Sequence, residues 1–233
     1  MRIAITGEKG FLGIHLTNHL RHVLKYEVIE LGRDFTDGLS TADNIQWLIH
    51  GACVHRHDNP EMVLKLNNEI TSKTIDCLKK NNINCNIALL SSIQEETNTF
   101  YGESKREAKN QFKNFCLESN TTFISYRLPN VFGQYAKPNR TSFIATFSYN
   151  LFNNFPIEYN SNFVKLAFVN DVVDIICKFE DQEINAITIT VEEVYLLLLK
   201  YNNWFNDSIF PNCKNKLEFD LYQTFLSYKN YKI

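Results

Sequence analysis

The chain opens with MRIAITGEKGFLG. RIAITG (2–7) reads as a short buried strand ending in Gly, the first of three glycines at Gly7, Gly10 and Gly13. From 10 to 24 the apolar residues fall at helical spacing. A strand that passes through a glycine turn directly into a helix is the first half of a parallel β-α-β unit, and it commits the rest of the chain to a layered α/β arrangement. Glycine in such a turn serves three needs: a tight bend, close backbone approach to a pyrophosphate, and close packing of helix on strand. The helix start adds free N–H donors and the positive end of the helix dipole. Gly7, Gly10 and Gly13, with Phe11 and Leu12 at the helix start, are therefore the candidate dinucleotide cradle. Spacing alone leaves a plain glycine turn open. No G-x-x-x-x-G-K-[ST] occurs, so the turn is not a P-loop.

Alternation continues down the chain. YEVIELGR (26–33), IQWLIHGACV (45–54), CNIALLSS (85–92) and the start of TTFISYRLPNVFG (121–133) read as strands. Residues 61–82 and 101–119 read as long helices between them, with Asn81-Asn82 as a stop for the first. The pattern predicts a Rossmann-type, doubly wound parallel sheet with a small C-terminal substrate-binding lobe. The expected organisation is one compact unit over 1–233. Residues 1–129, with about 164–180, form the nucleotide-binding core, and 130–163 with 181–233 form the lobe.

Composition narrows the partners. At 233 residues and 44% hydrophobic content the chain can bury a sizeable core. A formal net charge of -2 with no basic stripe argues against nucleic acid, and the lack of a polybasic block argues against a membrane surface. The longest apolar run, VYLLLL at 194–199, is too short to span a bilayer. The first residues enter a strand pattern at once, so a soluble, cytoplasmic protein is expected. Six cysteines without a C-x-x-C pair suggest reduced thiols. His15 and His19 share a helix face, and His50, His55 and His57 cluster after a strand. No H-E-x-x-H or supporting Cys pattern accompanies them, and no metal is expected.

Two stretches bear on chemistry. The second strand ends IELGRDF, and the residue at this end chooses the cofactor: an acid holds a ribose 2′-hydroxyl, whereas an Arg accommodates a 2′-phosphate. Gly32 stands where the acid would be and Arg33 follows, which favours NADP(H). Glu30 or Asp34 acting as the acid is the alternative. Farther on, Ser92 ends a strand and is followed by Tyr101 and Lys105, four apart on one helix face. A Lys beside a Tyr favours the phenolate, and poising a phenol near neutrality takes roughly 4 kcal/mol. Such a Tyr can pass a proton to or from a carbonyl or alcohol oxygen that a serine orients. A second Y-x-x-x-K, Tyr228 and Lys232, has no strand or glycine context and marks how easily the pair arises by chance.

T-G-x-x-G-F-L-G, the serine-ended strand, Y-G-E-S-K and R-L-P-N-V-F-G together resemble the extended short-chain dehydrogenase/reductases that act on nucleotide sugars. LLSSIQ, YRLPNVFGQYAKPN, SFIATFSYNL and DLYQTFLSY are similar to the reductase domain of the CapF type, as is the nine-residue step from Ser92 to Tyr101. The resemblance runs from Met1 to about Tyr228 and does not reach the cupin domain of that type. It implies NADPH-dependent reduction of the C4 keto group of a UDP-4-keto-6-deoxy-HexNAc. A 4-epimerase or 4,6-dehydratase, or a non-catalytic NADP-sensing module, are the alternatives. It further implies that Ser92 and Tyr101 meet the substrate C4 oxygen and that Lys105 also bonds the nicotinamide ribose. Pro129 would lie by the nicotinamide and Asn130 near the sugar diphosphate. Asn68 matches the helix Asn that supports the lysine. Arg56 matches an Arg of the branch, and Lys137 and Arg140 are placed to neutralise a diphosphate, although all three also read as surface charge. Ala52-Cys53 replaces the usual A-G, and Ser91 is an alternative to Ser92. A homodimer through helices equivalent to 61–82 and 101–119 is expected.

Overall fold

The protein is described by a computed structural model covering residues 1–32 and 44–231. The chain divides into two compact units, Met1–Leu128 with Val173–Ile184, and Pro129–Val172 with Asn185–Ile233.

In the first unit, β1 (Arg2–Thr6), β2 (Glu27–Glu30), β3 (Trp47–His50), β4 (Asn86–Ser92) and β5 (Phe123–Leu128) form one parallel sheet ordered β2-β1-β3-β4-β5. Strands covered on both faces must be apolar throughout, and Ile3, Ala4, Ile5, Leu48, Ile49, Ile87, Ala88 and Leu89 are all 0% exposed. Each buried Ile or Leu contributes about 1.5–3 kcal/mol. The order reverses beside β1, so the carboxyl ends of β1 and β3 flank the switch point where such sheets bind ligands. This is a Rossmann-like sheet, as expected.

The connecting helices start and stop where local chemistry dictates. α1 (Phe11–Asn18) runs into a π-helical turn at His19–Val23. α2 (Glu61–Lys80) stops before Asn82, which takes a left-handed φ of 51°. α3 (Phe100–Ser119) is capped by the Thr99 side chain, which accepts from the Gly102 N–H, and ends at left-handed Asn120.

In the second unit β6 (Asn130–Phe132) runs parallel to β7 (Phe163–Phe168), and β7 is antiparallel to β8 (Ile187–Thr190). α4 (Phe143–Phe152), α6 (Val191–Asn206) and α7 (Lys216–Leu226) complete it. Phe152 stacks on Phe225 with centroids 4.4 Å apart, and a Thr190–Glu193 capping box starts α6.

The two units follow the division into core and lobe, with one segment placed differently. Residues 164–172 belong to the second unit, because β6 offers β7 a parallel partner: Asn130 pairs with Leu166 and Phe132 with Phe168. α5 (Val169–Ile176) then carries the chain back to the first unit at Val173. There Phe179 stacks on Trp47 at 4.6 Å, and the Tyr126 hydroxyl donates to Glu180 O at 3.0 Å.

Candidate active site

The glycine turn closes when Gly10 N donates to Gly7 O at 2.9 Å. Gly7 has φ +75°, and a Cβ there would meet Ala52 N and Gly51 C at 2.7 Å. A Cβ on Gly13 would meet Glu8 Cα at 2.7 Å and Gly7 C at 2.8 Å. These two glycines let the turn seat against the chain itself. Gly10 differs: a Cβ there meets only Gly7 O, at 3.0 Å, and the residue caps α1 with no side-chain hydrogen bond. The leading N–H groups of Phe11, Leu12 and Gly13 are left for an anion. The cradle fits a dinucleotide pyrophosphate.

Behind the cradle, Thr6 Oγ1 accepts from Gly51 N and Ala52 N, each at 3.2 Å. Its own proton then goes to His50 Nδ1 at 3.1 Å, which requires a neutral imidazole. Burial, and next the Lys105 charge, bring His50 down to about 3. The unfolded chain takes up this proton near the ordinary value of 6.5, whereas the folded chain waits until about 3. Stability from His50 is therefore full above 6.5 and lost as pH falls, by up to about 1.4 kcal/mol per pH unit. Urea midpoints of wild type and His50→Asn across this window check it: the variant should lose less stability on acidification, and parallel losses would refute it.

Ser92 ends β4 and caps a 3-10 turn at Ile93–Glu96, its Oγ accepting from Gln94 N at 3.2 Å. Its hydroxyl proton stays available to a substrate oxygen. Ser91 is committed elsewhere, donating to Glu95 Oε2 at 2.6 Å. Arg106 from α3 grips the turn through Glu95 O at 2.5 Å and Thr97 O at 2.8 Å. Tyr101 therefore comes up on the first turn of α3. One turn on, Lys105 is 5% exposed. Its ammonium donates to Leu90 O at 3.1 Å and sits 5.4 Å from the centre of the Tyr101 ring.

Cys53 and His55, on the loop after β3, join this pair. Cys53 Sγ lies 3.4 Å from His55 Nε2, and the His55 ring is 5.4 Å from that of Tyr101. Burial opposes the Cys53 thiolate, but Lys105 and His55 outweigh it and lower the thiol to about 6. The hydrogen bond to Cys53, and then its charge, raise His55. Tyr101 departs from the sequence reading. Burial first, then the charge and hydrogen bond of Cys53, push the phenol above its ordinary value. The direction favours a phenol that keeps its proton.

The profile of the NAD dependent epimerase/dehydratase family matches residues 3–186. The chain belongs to this family. It is 29% identical to a UDP-2-acetamido-2,6-beta-L-arabino-hexul-4-ose reductase of Pseudomonas aeruginosa, over 98% of this chain and 65% of that protein. The chain thus spans just under two thirds of that relative. The capsular polysaccharide assembling protein CapF of Staphylococcus aureus superposes with a TM-score of 0.83 at 29% identity, covering 100% of this chain and 67% of CapF. A Thermus thermophilus UDP-glucose 4-epimerase complexed with NAD gives a TM-score of 0.78 at 13% identity, covering 99% of each chain, and shares the fold.

The epimerase/dehydratase core holds residues that sequence reasoning passed over. The helix Asn that ties the loop after β3 to α3 is Asn67, the neighbour of the Asn68 named from sequence. Asn67 Oδ1 accepts from Val54 N at 2.7 Å, and Nδ2 donates to Val54 O and Ser104 Oγ, each at 3.0 Å. Ser104 in turn donates to Tyr101 O at 2.7 Å. Asn68 instead donates to Glu107, and its Oδ1 is buried without a partner. Helical phase could have separated the two, since Asn67 falls on the stripe with Val63, Thr71 and Thr74. Asn67→Ala should destabilise by about 2–3 kcal/mol, because Val54 loses both backbone partners. Urea denaturation measures this, and a change under about 0.5 kcal/mol would contradict it.

The remaining residues named from sequence fall as follows. Arg33, with Asp34, lies outside the described residues. Glu30 is held by Arg21 at 2.6 Å. Ala52 sits against the glycine turn, and Arg56 is exposed on the loop after β3. Pro129, buried, and Asn130, whose Nδ2 donates to Lys165 O at 3.3 Å, begin the second unit. Lys137 and Arg140 are exposed on one turn of that unit, where Arg140 N donates to Lys137 O. Tyr228 of the chance pair is a core tyrosine that donates to Ala136 O at 2.7 Å, and Lys232 lies outside the described residues. Among the described residues, no group of three or more metal-binding side chains occurs, and no helix is long and apolar enough to cross a membrane.

Proposed function

We propose that the chain is an NADPH-dependent reductase of the C4 keto group of a UDP-4-keto-6-deoxy-HexNAc, giving a UDP-6-deoxy-L-HexNAc of the rhamnosamine or talosamine kind. The observation that carries this reading is Tyr101 on the first turn of α3, with the buried Lys105 ammonium 5.4 Å from its ring, after a strand that ends in Ser92. Reducing a ketone needs a proton donor at the nascent alkoxide, and burial, then Cys53, push the Tyr101 phenol in the direction that favours the donor form. A nicotinamide bound along the Gly7–Gly13 cradle would supply the hydride. Ser92 would donate to the C4 oxygen and fix the carbonyl, Tyr101 would protonate that oxygen, and Lys105 would stabilise the tyrosinate left behind. The similarity to a named reductase over nearly the whole chain supports the same chemistry.

The two acids after Ser92 weigh against a 4,6-dehydratase, which needs a free acid/base pair there. Glu95 is buried against Ser91 and Lys109, and Glu96 pairs with Arg127 at 2.7 Å. The Ser92, Tyr101 and Lys105 cluster weighs against a non-catalytic sensor. Glu30, engaged by Arg21, is less free to hold a ribose hydroxyl, which favours NADP(H) with Arg33 at the 2′-phosphate. Arg56, Asn130, Lys137 and Arg140 are the residues proposed for the sugar diphosphate. A cytoplasmic homodimer goes with the reading.

The test is incubation with NADPH and an enzymatically generated UDP-4-keto-6-deoxy-HexNAc, followed by NMR of the product. NADPH consumption with a new C4 alcohol is expected. A purified protein that carries tightly held NAD and consumes no NADPH would point instead to an epimerase.

A further inference from the structure

Four titratable groups from two elements meet where the loop after β3 faces α3. Cys53 and His55 come from the loop, and Tyr101 and Lys105 from the helix. The Lys105 ammonium is buried and has three donors, of which Leu90 O takes one. A buried cation in this position favours an anion nearby, and its charge acts on the Cys53 thiol in the direction of the thiolate. His55 holds the other side of the sulfur at 3.4 Å and is exposed, so the thiol is approachable from the loop. The molecule supplies its own control. Of the six free cysteines, Cys77, Cys85, Cys116 and Cys177 are buried, whereas Cys53 and Cys213 are partly exposed. Burial, and then Glu218, raise the Cys213 thiol.

We propose that Cys53 is a covalent modification site: a thiolate nucleophile, paired with His55 and Lys105, that takes small peroxides. The sulfur attacks the nearer peroxide oxygen, an S–O bond forms and the O–O bond breaks. Sulfur loses two electrons and becomes sulfenic acid. The departing hydroxide takes a proton from the His55 imidazolium and leaves as water. The added oxygen lies against Tyr101 and occupies the space a substrate oxygen needs. That last consequence rests on the reductase reading above, whereas the modification itself does not.

The experiment exposes the purified full chain to limiting hydrogen peroxide with dimedone as the trap and follows each cysteine by peptide mass. Cys53 is expected to be trapped at least about tenfold faster than Cys213. His55→Ala should slow Cys53 several-fold and leave Cys213 unchanged; an unchanged Cys53 rate overturns the pairing. If the protein reduces a UDP-4-keto sugar but Cys53 reacts no faster than Cys213, the modification site is wrong and the reductase reading stands. If Cys53 reacts fast in a protein that never oxidises NADPH with such a sugar, the site stands and the reductase reading fails.

Discussion

Tyr101→Phe lowers NADPH oxidation with a UDP-4-keto-6-deoxy-HexNAc by about 10²–10⁴-fold, with a smaller change in KM. The substitution removes one hydroxyl and keeps the ring. The contacts of that ring with His55 and Lys105 survive, and so does the backbone bond from Ser104 to Tyr101 O. What disappears is the proton donor. Steady-state kinetics with circular dichroism as a folding control decide the matter. Near wild-type turnover in a folded variant would mean that another group protonates the C4 oxygen.

Gly13→Ala and Gly10→Ala are expected to fail in opposite ways. A Cβ at Gly13 drives into the backbone of Gly7 and Glu8, atoms that cannot turn aside as a side chain does. The turn must shift, at a cost of about 3 kcal/mol, and cofactor binding goes with it. At Gly10 the added methyl meets only Gly7 O, at 3.0 Å, so the turn need give by only a few tenths of an ångström. The fold should stay within about 1 kcal/mol of wild type, but the methyl stands where a pyrophosphate would approach, and NADPH should bind at least about tenfold more weakly. Urea denaturation paired with a fluorescence titration of NADPH separates the two. Equal destabilisation by both variants, or unimpaired binding by Gly10→Ala, would remove the cradle from the account.

Much of the first unit was legible because parallel sheets leave a strong linear trace. Apolar runs such as 2–7 and 85–92, separated by helical spacing, mark the strands and their parallel character, whereas their order in the sheet came from the structure. The second unit was harder. β6 has three residues and pairs with a strand more than thirty residues on, and nothing local in 163–168 says which sheet it joins. Within the site, Ser92, Tyr101 and Lys105 could be read from motif and phase. Their protonation could not, because it depends on Cys53 and His55, which reach the same helix face from another loop.

The sequence by itself determined the glycine turn, the alternating elements, and a tyrosine and lysine one helical turn apart, since each follows from chain-local geometry. Tertiary structure decided the rest. It turned Asn67 rather than Asn68 inward, tied Glu95 to Ser91 and Lys109, and buried Tyr228 in a role unrelated to chemistry. It also brought Cys53 and His55 to the helix face of Tyr101 and Lys105, where the ammonium lowers the thiol and burial with Cys53 raises the phenol. Burial and through-space charge depend on neighbours far apart in the chain, and only the folded packing brings those neighbours together.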